Sequence, residues 1–456
     1  MKVLYDNTLK VGGIGICPWT RLGPEKWFPE YKIASFFNPE ADVDGMPSTY
    51  GVHGKGADTL IRYNSVQLLK EPAFQALLHD HFPGYKLFTY KSAEAPDAIE
   101  EYLLRPDERY AGLTKMLENK AEFRRLFASD SVRFPEFAIY AKDSFLSLPI
   151  ELLRKDAGVV VQDAVLSGGK GTFFVDDEES LLKAKRVLSK STSTEVVVSK
   201  AVSNPNERSI QCVATKCGIF MGPVQAQIID EPLLINRDVE GAEKFCGVVI
   251  DPHLTTAAQK QVIRSTAQQI GEKIVAMGYT GIFGIDFLID DNGEVFVLEV
   301  NPRITGATPL LTAFYSSDQF VPFYLLHILE IMNQDYEIEQ IDGLTDAYSE
   351  MHPSSLMILH SQEATRVEVV KTVRTGIYSS NLEFIAPSVV FDDMKEGEYL
   401  IQSIAPAGVK VSPAARLLSI YYKGSVLDEN GKISKKVQAD IDTLYKNITV
   451  IEATKE

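Results

Sequence analysis

Residues 281–301 read GIFGIDFLIDDNGEVFVLEVN. Two runs of alternating apolar residues flank Asp291-Asn292-Gly293, a strong hairpin turn. If Asn292-Gly293 forms a two-residue loop, Asp291 pairs with Glu294 and the rest of the register follows. Asp286 then lies opposite Glu299 and Gly284 opposite Asn301, all on one face. The other face carries Phe283, Ile285, Phe287, Ile289, Phe296, Leu298 and Val300, and reads as core. Leu288 and Val297 share the acidic face, so that face is expected to be partly covered as well. Two carboxylates directly opposed, with β-carbons about 5 Å apart, repel unless something positive sits between them. Oxygen donors from Asp286, Glu299 and Asn301 at this spacing suit Mg²⁺, with Mn²⁺ the alternative, and such a cation typically also takes phosphate oxygens. A half-exposed hairpin with two solvated acids is the plainer alternative, and the partial cover argues against it. Arg303, just past Pro302, can offer a fixed fork of donors to a phosphoryl group or carboxylate. A surface salt bridge is its plainer reading.

A second pattern lies about 115 residues upstream. The strand Val159–Gln162 runs into Ser167-Gly168-Gly169-Lys170-Gly171-Thr172 and then into Phe173-Phe174-Val175. Glycines let backbone N–H groups turn toward an anion, and Lys170 adds charge. The glycines lead into a strand rather than a helix, so this is a hairpin tip and not a P-loop.

The whole chain bounds these readings. Its 456 residues exceed one ordinary core, and two to four packed units are expected. Hydrophobic content of 45% and charged content of 24% are those of a soluble globular protein. No apolar run approaches a membrane span, and Met1–Asp6 reads as a strand rather than a signal peptide, so a cytoplasmic location is expected. A net charge of −16 argues against a nucleic-acid partner but not against a small nucleotide. Cys17, Cys212, Cys217 and Cys246 lack CxxC spacing, so neither a zinc site nor a disulfide framework is expected. Gly12-Gly13-Ile14-Gly15 lacks GxGxxG spacing, and Gly51–Gly56 lacks the Ser/Thr of a Walker A loop, so both read as ordinary loops. Periodicity predicts helices over 111–130, Thr255–Met277 and 316–333, a helix opened by Asp176–Glu179, and a closing helix near Lys436–Asn447.

Taken together, the residues from about Lys115 to Leu311 resemble the ATP-grasp superfamily. SGGKGT is similar to its mobile phosphate loop, Asn119-Lys120 to its Lys-bearing helix entry, and VVVSKAVSNPNERSIQ (196–211) to its adenine hinge. The Asn301-Pro302-Arg303 run with Gly306-Ala307-Thr308 looks most like the branch of carbamoyl-phosphate synthetase and purine-pathway ligases. The resemblance implies an α+β/α/β, ATP-grasp architecture. It would comprise an N-terminal α/β domain at 1–112, a grasp domain at 113–335 with a lid at about 130–200, and a C-terminal α+β domain at 336–456.

The resemblance further implies ATP and Mg²⁺ as cofactors. Lys120, Gln162, Ser167, Gly168, Gly169, Lys170 and Gly171 would meet the phosphates. Ser199, Lys200, Ala201 and Val202 would meet adenine, and Glu207 the ribose. Asp286, Glu299 and Asn301 would hold the metal, with Arg303 and Lys170 as catalytic residues. The activity implied is carboxylate–amine ligation through an acyl phosphate, with amino acids or peptides as small-molecule substrates and a homodimer allowed. A biotin-carboxylase-like carboxylase and a catalytically silent ATP-binding regulator are the rivals. The sequence departs from the family at Gln162, where a Lys is usual, and at Ser199, where an acid is usual. Arg237 is a candidate substrate anchor or a salt-bridge partner. His352 and His360 either line a cleft or pack.

Overall fold

The computed structural model describes residues 1–37, 43–53, 65–91, 96–104, 108–129, 131–150, 158–166, 168–169, 171–239, 242–315, 319–339, 348 and 351–453. The hairpin sits at one edge of a ten-stranded sheet. From that edge the strands run Val295–Asn301, Gly281–Ile289, Asn206–Thr215, Gly218–Ile229, Phe245–Ile250, Ser354–His360, Arg416–Tyr422, Tyr399–Ser403, Gly376–Tyr378 and Phe384–Ala386. The first five belong to the central part of the chain and the last five to the tail. Strand Phe245–Ile250 pairs antiparallel with Ser354–His360. The tail therefore continues the central sheet across the expected boundary at 336 and is not a detached unit.

Helix Ala257–Ala276 explains why the hairpin folds where it does. Thr256 and Gln259 form a reciprocal capping box at its start, and Gly278, at φ 98°, follows its end. Its Ile263, Ala267, Ile270 and Ile274 pack with Phe283, Ile285, Phe287, Val297 and Val300 in one buried cluster. That packing fixes which face of the hairpin turns away from the core.

Beside the central sheet lies a four-stranded antiparallel lid, ordered Phe137–Ala141, Glu195–Lys200, Val159–Asp163 and Thr172–Val175. Helix Glu178–Leu188, capped by Asp177, packs on it through Leu181, Ala184 and Leu188. The expected helix over 111–130 is two helices, Glu108–Glu118 and Lys120–Phe127. Asn119 breaks them, because its side chain accepts from the amides of Ala121 and Glu122 and so starts a new helix.

The N-terminal unit is a parallel sheet, ordered Ser48–His53, Lys32–Phe37, Val11–Gly15 and Lys86–Phe88. Gly12–Gly15 thus forms a buried central strand rather than the expected loop. Of Gly51–Gly56, residues 54–56 lie outside the described residues. Among the described residues, no helix is long and apolar enough to cross a membrane.

Candidate functional site

The register at the hairpin's far end is as expected. Gly284 pairs with Asn301, Ile285 with Val300 and Asp286 with Glu299. The route to it differs. Gly293, at φ 79°, donates to the Asp290 carbonyl at 2.9 Å, and Asp290 pairs with Glu294 around a three-residue loop. That loop shifts the pairing by one, and a bulge at Leu298 shifts it back. Between loop and bulge the faces are swapped relative to expectation. Val297 is core, whereas Leu298 lines the cleft and Phe296 is half-buried.

The acidic face floors a cavity of about 1010 Å³. The rest of the floor comes from period-two polar positions on strands that are otherwise apolar. Ser209 pairs with Asp286 on one side and with Gln225 on the other, so Glu299, Asp286, Ser209 and Gln225 form one row across four strands. Gln211 faces Gly284 in the adjacent row. A β-carbon on Gly284 would come within 2.7 Å of Thr305, whose hydroxyl donates to Gln211 Oε1 at 2.8 Å.

Asp286 accepts from Gln227 Nε2 at 2.7 Å and from Asn301 Nδ2 at 3.0 Å. Burial, then the Glu299 charge, raises its carboxyl above the ordinary range. Burial acts on Glu299 in the same sense. There it is outweighed, chiefly by Lys120, whose Nζ lies 3.3 Å away, and Glu299 is lowered. Lys120 also donates to the Leu166 carbonyl at 2.8 Å, tying the helix entry to the lid. Burial would lower Arg303, but Tyr90, Glu118 and Glu299 raise it overall. Its Nε donates to Glu118 at 3.0 Å, Nη2 to Asn301 Oδ1 at 2.7 Å and Nη1 to the Tyr90 hydroxyl at 2.8 Å.

The lid closes over this floor. Gly168 and Gly169, at φ 70° and 75°, line the cavity, and the Lys244 amide donates to the Gly168 carbonyl at 3.2 Å. Gln162 and Glu207 line it too, and burial raises the Glu207 carboxyl. Ser167 and Lys170 lie outside the described residues. Lys120, Gly171 and Ser199–Val202 are not part of the cavity wall. At the hinge, the Lys200 and Ala201 amides are spent on the Glu136 and Gly158 carbonyls, at 2.7 and 3.3 Å. Neither amide is free to read a base edge.

Arg237 is exposed and donates to the Asp230 carbonyl from Nε at 2.8 Å, which favours the salt-bridge reading over the anchor. His352 is exposed and off the wall, and His360 is buried against the Leu234 carbonyl, so His360 packs.

Sequence reasoning missed Arg124. It is fully buried, its Nη2 donates to Gln162 Oε1 at 3.1 Å, and its Nε has no hydrogen-bond partner among the described residues. The glutamines at 211, 225 and 227 were missed as well. Their signal was present: Ser209 and Gln211, like Gln225 and Gln227, repeat at period two with Ile210 and Ala226 between them.

Residues 117–307 match the family model of the ATP-grasp domain. The chain carries an ATP-grasp domain. The domain contains every element of the floor and lid described above. Among curated relatives, the C-terminal section of the carbamoyl phosphate synthase large chain of Aquifex aeolicus is 24% identical over 200 residues, 42% of this chain and 34% of that protein. The [butirosin acyl-carrier protein]–L-glutamate ligase of Niallia circulans is 28% identical over 147 residues, 32% of each chain. The chain thus spans about a third of the length of these two relatives. Solved structures extend the likeness beyond the grasp domain, as a likeness of fold. Biotin carboxylase of Campylobacter jejuni has a TM-score of 0.62 at 12% identity, covering 98% of this chain and 92% of that one. L-amino acid ligase of Bacillus licheniformis has a TM-score of 0.59 at 13% identity, covering 98% and 100%.

Proposed function

We propose that the chain is an ATP-dependent carboxylate–amine ligase acting on small molecules, with amino acids or peptides as the substrate class. The observation that carries this is the Asp286–Glu299 pair, set with Asn301 on the floor of a cavity that the Gly168–Gly169 loop covers.

The donor set fits a divalent cation in one specific way. Among the described residues, no group of three or more His, Cys, Asp or Glu side chains is arranged to hold a metal alone. Two carboxylates and an amide need further oxygens, and Mg²⁺ commonly takes them from phosphates. Asp286, Glu299 and Asn301 would hold the ion, which when bound offsets charge on the transferring phosphoryl group. Gln162, Gly168 and Gly169 would face the phosphates from the lid side and Glu207 the ribose, with Lys120 acting from behind the wall through Glu299. Arg303, locked by Glu118 and Asn301, would stand beside the acid being activated.

In the first step the substrate carboxylate oxygen bonds to the γ-phosphorus and the bond to the bridging oxygen breaks, releasing ADP. In the second the amine nitrogen bonds to the acyl carbon, the acyl–oxygen bond breaks, and phosphate leaves. Phosphoryl transfer of this kind depends on positioning and charge neutralisation rather than on a protein nucleophile. This agrees with the inert setting of the cavity's one thiol, Cys17, which burial pushes upward.

The test is ADP and phosphate release with MgATP over a panel of amino-acid pairs, for the wild type and Glu299→Gln. Amide formation with one ADP released per bond is expected, together with loss of turnover in the variant. Full turnover in Glu299→Gln overturns the metal assignment. ADP release that requires bicarbonate and biotin instead of an amine selects the carboxylase reading.

A further inference from the structure

Among the described residues, three guanidiniums line the cavity: Arg21, Arg303 and Arg416. Two of them have a carboxylate. Arg303 Nε meets Glu118 at 3.0 Å, and Arg416 meets Glu243 at 2.6 Å. Arg21 has none among the described residues. Its Nε donates to the Ile14 carbonyl at 2.7 Å, and its Nη1 to the carbonyl and hydroxyl of Thr20 at 3.0 and 3.1 Å. All of these acceptors are neutral, yet Arg21 is only 2% exposed. A buried cation without a counter-charge is costly, and a cavity wall is where a ligand can supply one.

The surroundings hold Arg21 in place. Its guanidinium lies 5.9 Å from the Phe88 and Tyr90 ring centroids. Arg303 lies 5.0 Å from the same Tyr90 centroid, so the two cations neighbour one aromatic ring. The Arg21 stem runs along the glycine strand. A β-carbon on Gly13 would meet Arg21 Cβ and Cδ at 3.0 Å, and one on Gly15 would meet Cγ at 3.5 Å. The Tyr31 hydroxyl, donating to the Arg21 carbonyl at 2.7 Å, would be struck by the same Gly13 β-carbon. The glycines at 13 and 15 thus leave the space that Arg21 fills, a role their spacing did not suggest.

We propose that Arg21 anchors a second anionic group of the substrate, a carboxylate or a phosphate, beside the Tyr90 ring that Arg303 also neighbours. This rests on the ligase reading. It narrows the substrates to those in which one partner carries an anion besides the carboxylate being activated. An amine that bears its own carboxylate is the simplest case.

The full chain contains two tryptophans, Trp19 and Trp27, both close to Arg21 in sequence, so intrinsic fluorescence reports on this wall. Succinate and inorganic phosphate are titrated separately in the presence of Mg-ADP, into the wild type, Arg21→Met and Arg21→Lys. Saturable binding of one or both anions to the wild type is expected, about tenfold or more weaker in Arg21→Met, with Arg21→Lys between. The better-bound anion identifies the group. In turnover, Arg21→Met should raise KM for the anion-bearing substrate by a similar factor while kcat changes far less. Amidating that group on the substrate should reproduce the effect in the wild type. Wild-type protein that binds Mg-ADP but neither anion overturns the inference, as does equal anion binding by wild type and Arg21→Met. Failure to bind Mg-ADP at all overturns the nucleotide reading instead. If Arg21→Met does not fold, wild-type binding and Arg21→Lys decide.

Discussion

Arg124 Nη2 donates to Gln162 Oε1 at 3.1 Å from a guanidinium with no exposed surface. Burial lowers Arg124 to about 10, so it stays charged at neutral pH. The contact fixes the Gln162 amide with its oxygen toward Arg124 and its nitrogen toward Thr172 Oγ1, 3.4 Å away, on the cavity side. A neutral side chain on the lid strand thereby has a cation behind it, supplied from helix Lys120–Phe127. Arg124→Met should weaken Mg-ADP binding by about tenfold, the loss of a charged hydrogen bond that leaves a buried acceptor unpaired. Gln162→Lys alone should also weaken it, because two cations would then meet in a buried space. The double variant Arg124→Met/Gln162→Lys should recover most of the loss. Calorimetric titration of all four proteins gives the coupling, and a double variant no better than the sum of the singles would rule the relay out.

Asp286, a candidate metal ligand, is held at a cost. Its pKa is raised in the folded state, so between the ordinary carboxylate range and the raised value the native chain binds the extra proton. Stability therefore falls as pH rises through that interval. Asp286→Asn removes both the buried charge and its repulsion with Glu299. Thermal unfolding at pH 7.5 should show the variant at least as stable as the wild type, while Mg-dependent ADP release drops by about 100-fold or more. A variant clearly less stable than the wild type would mean that the hydrogen bonds from Gln227 and Asn301 outweigh the repulsion.

Two buried histidines give the opposite pH dependence. Burial lowers His327 to about 3. It lowers His360 to about 4, with Arg416 acting in the same sense. His327 Nδ1 accepts from the Ile282 amide at 3.0 Å at the start of the hairpin, a bond that requires the neutral ring. Below an unfolded pKa of about 6.5 the unfolded chain takes up protons that the native chain refuses. Stability present at neutral pH is then lost by about 1.4 kcal/mol per pH unit for each ring. Unfolding free energies between pH 7.5 and 5.5 should show this loss, with part of it absent in His360→Asn. Ring resonances of His327 or His360 that titrate between pH 7.5 and 5.5 would contradict it.

The facing of Asp286 and Glu299 was legible in the sequence because alternation, an Asn-Gly turn and opposed acids are local signals. The long helix and the closing helix were legible for the same reason. What was not legible depended on contacts distant in sequence. Arg124 and Gln162 are 38 residues apart, and no periodicity links them. The tail read as a separate unit because its own strands alternate cleanly, whereas its fusion to the central sheet rests on the pairing of Gly247 with Met357 and its neighbours. Gly12–Gly15 read as a loop because glycine is poor in strands, yet a side chain at Gly13 would collide with Arg21 and Tyr31.

The hairpin itself yields the last prediction. Asp286 meets Glu299 through two offsets that cancel, the three-residue loop and the bulge at Leu298. Removing one residue from the loop leaves the Asp290–Glu294 closure intact, because Asn292-Gly293 can form a two-residue turn of the favoured twist. The hydrophobic register of Val295, Val297 and Val300 against helix Ala257–Ala276, rather than the turn, then holds the strands in place. Deletion of Asp291 should therefore preserve the fold and the facing of Asp286 and Glu299. It forfeits the exposed bond from Asn204 Nδ2 to Asp291 at 3.0 Å, worth about 0.5 kcal/mol or less. Mg-ADP affinity within about twofold of wild type and a Tm shift of a few degrees at most are expected. A folded deletion variant that no longer binds Mg-ADP would show that the turn sets the register and that the core does not.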